Sequence, residues 1–474
     1  MEIGRKDVVW NFAATFMRVA SGVIVLPLVL HMLPTQEVAL WNVFLAIGSF
    51  AALLDFGFSN SFARNITYIF SGVKVLKTTG YVLVDEKDKS IDYALLKSVI
   101  SAMRRYYGIL ALVFLLLFVA VSPFYLTAVL RKYTVNTTEV WTAWFVYGAL
   151  VAYQLYTYYY SSILTGRGLV KRSLQITIIG QASRILISVI CLLLGFGLIS
   201  LVIGQLTSDV VNRTLCYFAF YDKGMRSALK VKTEIPVKEV MSIMSPNAIK
   251  IGITTIGGFF INKAVVLIAA LCLLPAEIAS FGTTKQMIDL IISLGFLWFS
   301  TYYPKITLHR VNNNIVQIKR MYLKGKLSLV LVFIVCGLGL IFVGPYLLTM
   351  IRSKTHLLPA VMTFVFLIIS FLETNHGLAA QMLLTKNEVP FASASILSGA
   401  ATVVLLFISL KFTSIGLWGM ILAPGIAQAA YQNWKWPSLV RRELEIKWKD
   451  YWAALQTTFN GIWFHVDKDT KRQF

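Results

Sequence analysis

Acidic residues are scarce: 22 Asp and Glu stand against 44 Lys and Arg in 474 residues, a formal net charge of +22. Charge of either sign makes up only 14% of the chain, while 57% is hydrophobic and the mean hydropathy is +0.71. A soluble domain cannot hide that much apolar surface, so the composition is that of a polytopic membrane protein. Cysteine is scarce too. Cys191, Cys216, Cys272 and Cys336 stand alone in apolar segments, which excludes a disulfide framework or a spaced metal site. No GxxxxGK[ST], GxSxG or HExxH occurs, and no Cys/His cluster. ATP hydrolysis through a phosphate-cradling loop is thereby excluded, and no enzymatic activity is expected. The first apolar run, 8–33, is too long for the core of a cleavable signal peptide and lacks a small-residue cleavage site.

What the chain has is about twelve apolar stretches: 8–33, 38–62, 106–130, 139–163, 173–195, 197–220, 245–271, 277–303, 326–350, 357–384, 388–410 and 414–436. With the N-terminus inside, the connections facing the cytoplasm and the two ends hold 33 Lys and Arg against 5 outside, counting Lys326 and Lys435 at span ends as inside. That asymmetry predicts cytoplasmic ends, with the loops at Thr35 and Thr138 outside and those at Lys87 and Asn313 inside. It also explains the basicity by topology and contact with anionic lipid, with no nucleic acid partner needed. The stretch from Arg64 to Arg105 mixes apolar residues with charge and predicts a helical hairpin or surface helix. After Pro437, Leu444, Trp448, Tyr451, Trp452, Leu455 and Phe459 recur at helical spacing beside Arg441, Arg442, Lys447 and Lys449, predicting an amphipathic interfacial helix. No outside loop exceeds about ten residues, so the outer face offers almost no scaffold for chemistry.

Several charges fall inside the spans: Arg18, Arg184, Lys250, Lys263, Lys285, Asp289 and Glu373. Each costs about 2.5–3.5 kcal/mol at a membrane-helix centre and is tolerated only beside a partner or a water-filled cavity. Asn11, Thr15, Arg18 and Gly22 form one stripe in the first span, and Asn247, Lys250, Thr254, Gly258 and Asn262 form one in the seventh. The fifth offers Thr177, Gln181, Arg184 and Ser188; the tenth offers Ser370, Glu373, Gly377 and Gln381. Interhelical hydrogen bonding accounts for the Ser and Thr positions. A cation needs an anion or water, so Arg18, Arg184 and Lys250 point to a cavity, with Asn11 and Asn247 beside them. Lys263, nearer a span end, can also snorkel. Lys285 and Asp289, four residues apart, read as a structural pair or a relay, as do Asp209 and Arg213. Glu373 has no cation at i±4; it is a coupling switch or the static partner of Arg18 or Lys250. The tyrosines between Tyr153 and Tyr160 fit an interfacial aromatic belt, with sugar stacking as the alternative.

The chain also repeats. Leu33-Pro34-Thr35-Gln36-Glu37-Val38-Ala39 joins spans one and two, and Leu274-Pro275-Ala276-Glu277-Ile278-Ala279 joins spans seven and eight. An even number of spans per half makes the repeat parallel. The expected organisation is a six-helix lobe over 1–220, a linker over 221–244, a second lobe over 245–436 and a tail over 437–474. The fold class is all-α.

Leu53-Leu54-Asp55-Phe56-Gly57-Phe58-Ser59-Asn60-Ser61-Phe62-Ala63-Arg64-Asn65 resembles the LLDLGLGSALVR signature of bacterial polysaccharide exporters, the O-antigen and capsule-type flippases of the superfamily that also holds the MATE drug exporters. The Leu33-Pro34 turn, Trp41 and Leu26-Pro27 are likewise similar. The resemblance implies two lobes around a central cavity lined by spans one and seven, in a bacterial inner membrane. It implies an undecaprenyl-pyrophosphate-linked oligosaccharide as cargo and polymerase or chain-length machinery as partners. Asp55 and Arg64, within the motif, are ion-pair or coupling candidates.

A pyrophosphate cannot cross hydrocarbon unpaired, and Arg or Lys in a dry cavity can replace its hydration. With the cytoplasm negative, the membrane potential favours outward movement of an anion by about 2.3 kcal/mol per charge per 100 mV. No cofactor is expected; proton or sodium coupling is left open. A MATE-type drug antiporter is the first alternative, disfavoured by the surplus of in-span cations. A membrane polymerase or glycosyltransferase is the second, disfavoured by the short outer loops.

Overall fold

The structure is a computed structural model that describes residues 5–76, 90–233, 235–311, 313–386 and 389–463. All regular elements among them are helical, and they form twelve spans in the predicted order. Span 1 is one helix, Arg5–Met32; spans 3, 5 and 6 are Tyr93–Leu130, Val170–Leu193 and Ile199–Phe220. Span 2 is built from Thr35–Gly48, Phe50–Leu54 and Phe58–Phe70, and span 4 from Thr137–Thr157 and Tyr159–Gly166. Span 7 is Val237–Asn262 followed by Ala264–Cys272, and span 8 is Pro275–Val311. Span 9 runs through Ile315–Leu338, a wide turn at Gly339–Val343 and Gly344–Met350. Spans 10 and 11 are Ala360–Leu384 and Ala392–Phe412; span 12 is Leu417–Ala429 with Gln432–Glu443, before a tail helix, Trp448–Trp463.

Seven of these are long and apolar enough to cross a membrane by length and composition: spans 1, 3, 5, 7, 9, 10 and 11. The others are broken (2, 4 and 12) or carry charge (6 and 8), which dilutes the apolar signal without removing them from the bundle. The chain is a multi-pass membrane protein.

Two predicted elements differ. The stretch 64–105 forms no separate hairpin or surface helix among its described residues. Span 2 continues to Phe70, and span 3 begins at Tyr93, so both spans are extended. Leu95, Leu96, Val99 and Met103 are fully buried against Phe62, Ile66 and Ile69. Their mixed polar pattern therefore reflects helix–helix packing where the two spans run on past their apolar stretches. Residues 77–89, with Lys87, lie outside the described part. In the tail, Leu444 is buried at the end of span 12 and does not belong to the amphipathic helix. Tyr451 turns toward span 9 while Trp448 and Trp452 stay exposed, at 78% and 66%. Lys319 of span 9 pairs with Asp450 at 2.7 Å and holds that carboxyl below its usual range.

The motif around Asp55 makes a break. Phe56 (φ 51°) and Gly57 (φ 72°) both lie in the left-handed region, and the next piece of span 2 starts at Phe58. Asp55 accepts from the Ser59 amide and hydroxyl and from the buried Tyr107 hydroxyl. These bonds satisfy a helix start inside the bundle, where an unpaired amide would cost about 1–3 kcal/mol. Phe56, in the break, packs so closely on span 7 that its ring fills the space a Cβ on Gly252 would need.

Candidate functional site

Span 7 stops being helical at Lys263 (φ −116°, ψ −39°) and resumes at Ala264. The break aims Asn262 and Lys263 at the facing sides of spans 8 and 10. Together these elements enclose a cavity of about 470 Å³ lined by Asn262, Lys263, Lys285, Asp289, Glu373 and His376, among others. Lys285 Nζ lies 3.1 Å from Asp289 Oδ1, and Lys263 Nζ lies 3.8 Å from Asp289 Oδ2. The Asn262 amide donates to Glu373 Oε1 at 2.6 Å. Glu373 is close enough to act electrostatically on both lysines. His376, one turn beyond Glu373, faces Asn433 Oδ1 through Nδ1 at 2.7 Å. Two lysines and two carboxylates thus balance one another around one cavity, Lys263 and Asp289 each 40% exposed and Lys285 13%. The partners are the ones lipid requires.

The predicted Lys285–Asp289 pair forms, and Lys263 joins it rather than snorkelling away. Glu373 takes its nearest described bond from Asn262. Gly258, on the predicted span 7 stripe, would point a Cβ into open space. Asn11 and Arg18 lie on span 1, and Asn247 and Lys250 on span 7; their side chains are outside the described residues. Span 1 packs on spans 5 and 8, with Gly22 against Leu290.

Arg184 is placed elsewhere, facing Tyr147 of span 4 and Asp209 of span 6. Asp209 accepts from Gln154 at 2.6 Å and Gln205 at 3.2 Å. Arg213 does not bridge to Asp209. Its guanidinium stacks 3.5 Å from the centroid of Tyr160, a ring that span 4 presents to span 6 one turn beyond Asp209. The tyrosine stretch is therefore partly packed inside: Tyr159 and Tyr160 are buried. Asp55 is satisfied by Tyr107 and Ser59 and not by Arg64, which lies on the helix that starts after the break.

Sequence reading missed the contacts that join the two halves. Gln286 of span 8 donates to Asn42 Oδ1 of span 2 at 2.7 Å, and Asn42 fills the space over Gly282. At the end of the bundle predicted to face outside, the Lys354 amide donates to Leu30 O at 2.9 Å and its ammonium to Met32 O at 2.9 Å; Thr35 Oγ1 donates to Lys354 O at 2.6 Å. Lys132 donates to Leu271 O at 3.0 Å nearby. A lone Asn within an apolar run was the only signal for the first; nothing signalled the second. Lys354→Ala removes one charged hydrogen bond of about 1.5 kcal/mol from this seam. An impermeant thiol reagent should then label Thr35→Cys several-fold faster than in the parent background, and an unchanged rate would remove Lys354 from the seam.

No protein-family model matches the sequence, and no curated protein sequence does. Solved structures do match in shape. An inward-facing multidrug resistance transporter of the MATE family superposes with a TM-score of 0.68 at 14% identity, over 92% of this chain and 98% of its own. The lipid II flippase MurJ, inward closed, gives 0.64 at 12% identity, over 97% and 94%. An outward-facing MATE transporter gives 0.55 at 15% identity, over 93% and 95%. At these identities the likeness is one of fold: the chain has the twelve-helix, MATE-like architecture that drug transporters and a lipid flippase share.

Proposed function

We propose that this protein is a flippase for an anionic, lipid-linked oligosaccharide, moved from the inner to the outer leaflet of a bacterial cytoplasmic membrane by alternating access. The observation that carries the reading is the pair Lys263 and Lys285 on one intramembrane cavity, each neutralised by carboxylates that an incoming anion can replace. With the cavity empty of cargo, Asp289 and Glu373 balance the lysines. A pyrophosphate of about two negative charges competes for both ammonium groups with charge-assisted bonds. The displaced carboxylates then need protons or another cation, which couples occupancy to ion movement. The lobes over 1–220 and 245–436 are the moving bodies, and both ends face the cytoplasm. Arg18 supplies a further cation from span 1, and the fold is also that of a lipid II flippase, which supports an amphipathic cargo.

The same carboxylates favour a second reading, export of organic cations, in line with the drug transporters of this fold. Proteoliposomes separate the two. Under the first reading, a fluorescent undecaprenyl-pyrophosphate-linked saccharide changes leaflet at a rate that falls at least about tenfold in Lys263→Gln and Arg18→Ala. Efflux of ethidium driven by a pH gradient, with no leaflet exchange of the saccharide, would establish the second reading instead.

A further inference from the structure

Span 9 carries a feature that the transport cavity does not use. Lys326 is the last charged residue before an uncharged stretch that runs to Met350. It therefore sits where the hydrocarbon core begins. At that depth Lys326, Ser438, Arg441, Trp448 and Tyr451 line a cavity of about 300 Å³ between span 9, span 12 and the tail helix. Lys326 Nζ reaches Tyr451 Oη at 3.4 Å and lies 5.2 Å from its ring centroid. Among the described residues neither Lys326 nor Arg441 has a carboxylate partner. Of the nearby acids, Asp450 is engaged by Lys319 and Glu443 by Arg310 and Lys386.

Immediately below, Val330, Phe333, Ile334, Gly337, Leu338 and Ile341 line an apolar groove of about 330 Å³ shared with span 10. Counted from Lys326 these positions step by 4, 7, 8, 11, 12 and 15, one continuous face of the helix. A cationic cup at the membrane boundary thus opens onto a hydrocarbon-depth groove along a single face. The groove runs beside the wide turn at Gly339–Val343, which bulges the backbone of span 9 at its lower end.

We propose that this face holds a resident anionic phospholipid of the inner leaflet, its phosphate between Lys326 and Arg441 and one acyl chain in the groove. The tail helix closes over the headgroup through Tyr451 and Trp448. Depth decides in favour of a lipid over a soluble phosphate: a cup that ends on hydrocarbon suits a headgroup with a chain attached. Trp448 and Trp452, exposed beside it, are interfacial anchors for the same helix.

The test uses full-length protein stripped of lipid in a nonionic detergent, with amide exchange of the tail helix as the readout. Phosphatidylglycerol should protect that helix and phosphatidylcholine should not. Lys326→Gln with Arg441→Gln should weaken the phosphatidylglycerol response about thirtyfold, from two cations. Lys447→Gln with Lys449→Gln removes two exposed charges that do not line the cavity and should cost less than a tenth of that. Equal losses from the two pairs would mean general adsorption of a basic helix and would overturn the site. Equal protection by inorganic phosphate, or a clear preference for undecaprenyl phosphate over phosphatidylglycerol, would overturn the assignment to a resident phospholipid. Should the Lys326 variant melt early without lipid, Arg441→Gln alone carries the comparison, since that side chain is exposed.

Discussion

Lys285→Ala is expected to lower the melting temperature of the protein sharply. Its ammonium is the nearest counter-charge to Asp289, at 3.1 Å, and it is the less exposed of the two lysines. Without it, Asp289 keeps only Lys263 at 3.8 Å, and Glu373 loses one of its two cations. Removing one partner of a fully buried pair costs about 3–5 kcal/mol because the other is left uncompensated; Asp289 is 40% exposed to the cavity, so about 2 kcal/mol is expected here, still a large share of a typical folding free energy. Thermal melting of the detergent-solubilised protein measures it. Lys285→Ala with Asp289→Asn should recover most of the melting temperature. If that double variant also recovers leaflet exchange of the saccharide, Lys285 is structural only, and the proposed contact with the anion is lost. A folded but inactive double variant is the outcome the flippase reading requires.

The second large effect concerns packing. Spans 7 and 11 meet at Gly257, where a Cβ would fall 2.3 Å from the Ser395 carbonyl carbon and oxygen. The opposing atoms are backbone and cannot swing aside, and one turn along span 11 a Cβ on Gly399 would fall 3.0 Å from the Gly257 carbonyl oxygen. Membrane helices associate through such small residues because packing replaces the hydrophobic effect there. Gly257→Ala should cost about 1–3 kcal/mol, and Gly257→Leu should prevent assembly of the second half. Its neighbour is the control. Gly258 faces open space, so Gly258→Ala should be neutral or stabilising by up to about 1 kcal/mol, since alanine is the better helix former. Identical melting of Gly257→Ala and Gly258→Ala would refute the close contact.

The spans were legible because lipid imposes a length and a composition that sequence shows directly. Lys285 and Asp289 were legible because four residues is one helical turn. The rest of the site depends on which helices are neighbours, and no local pattern carries that. Asn262 and Glu373 stand 111 residues apart, and their hydrogen bond exists only because spans 7 and 10 are brought together. Arg213 and Asp209 show the opposite error. Their spacing suggested a pair, yet a tyrosine from span 4 offered the guanidinium a better-placed face. The stretch 64–105 was misread for a related reason. Helices that extend beyond the bilayer carry charge on one side and packing on the other, which in isolation looks like a surface helix.

The interruption of span 7 at Lys263 also has a mechanical meaning. Val240, Met244 and Ala248, before it, belong to the hydrophobic cluster built on Phe62, Leu95 and Tyr107 of the first half. Val265, Val266 and Ala269, after it, belong to the other cluster, which holds Val38, Ala39 and Trp144 of the first half as well as Phe281 and Leu378 of the second. The piece before the break also packs along span 11, and the piece after it lies against span 2 as well as spans 8 and 11, so both halves hold span 7 on either side of the residue that touches the charged cavity. A change of charge partner at Lys263 therefore acts on a helix that both halves hold.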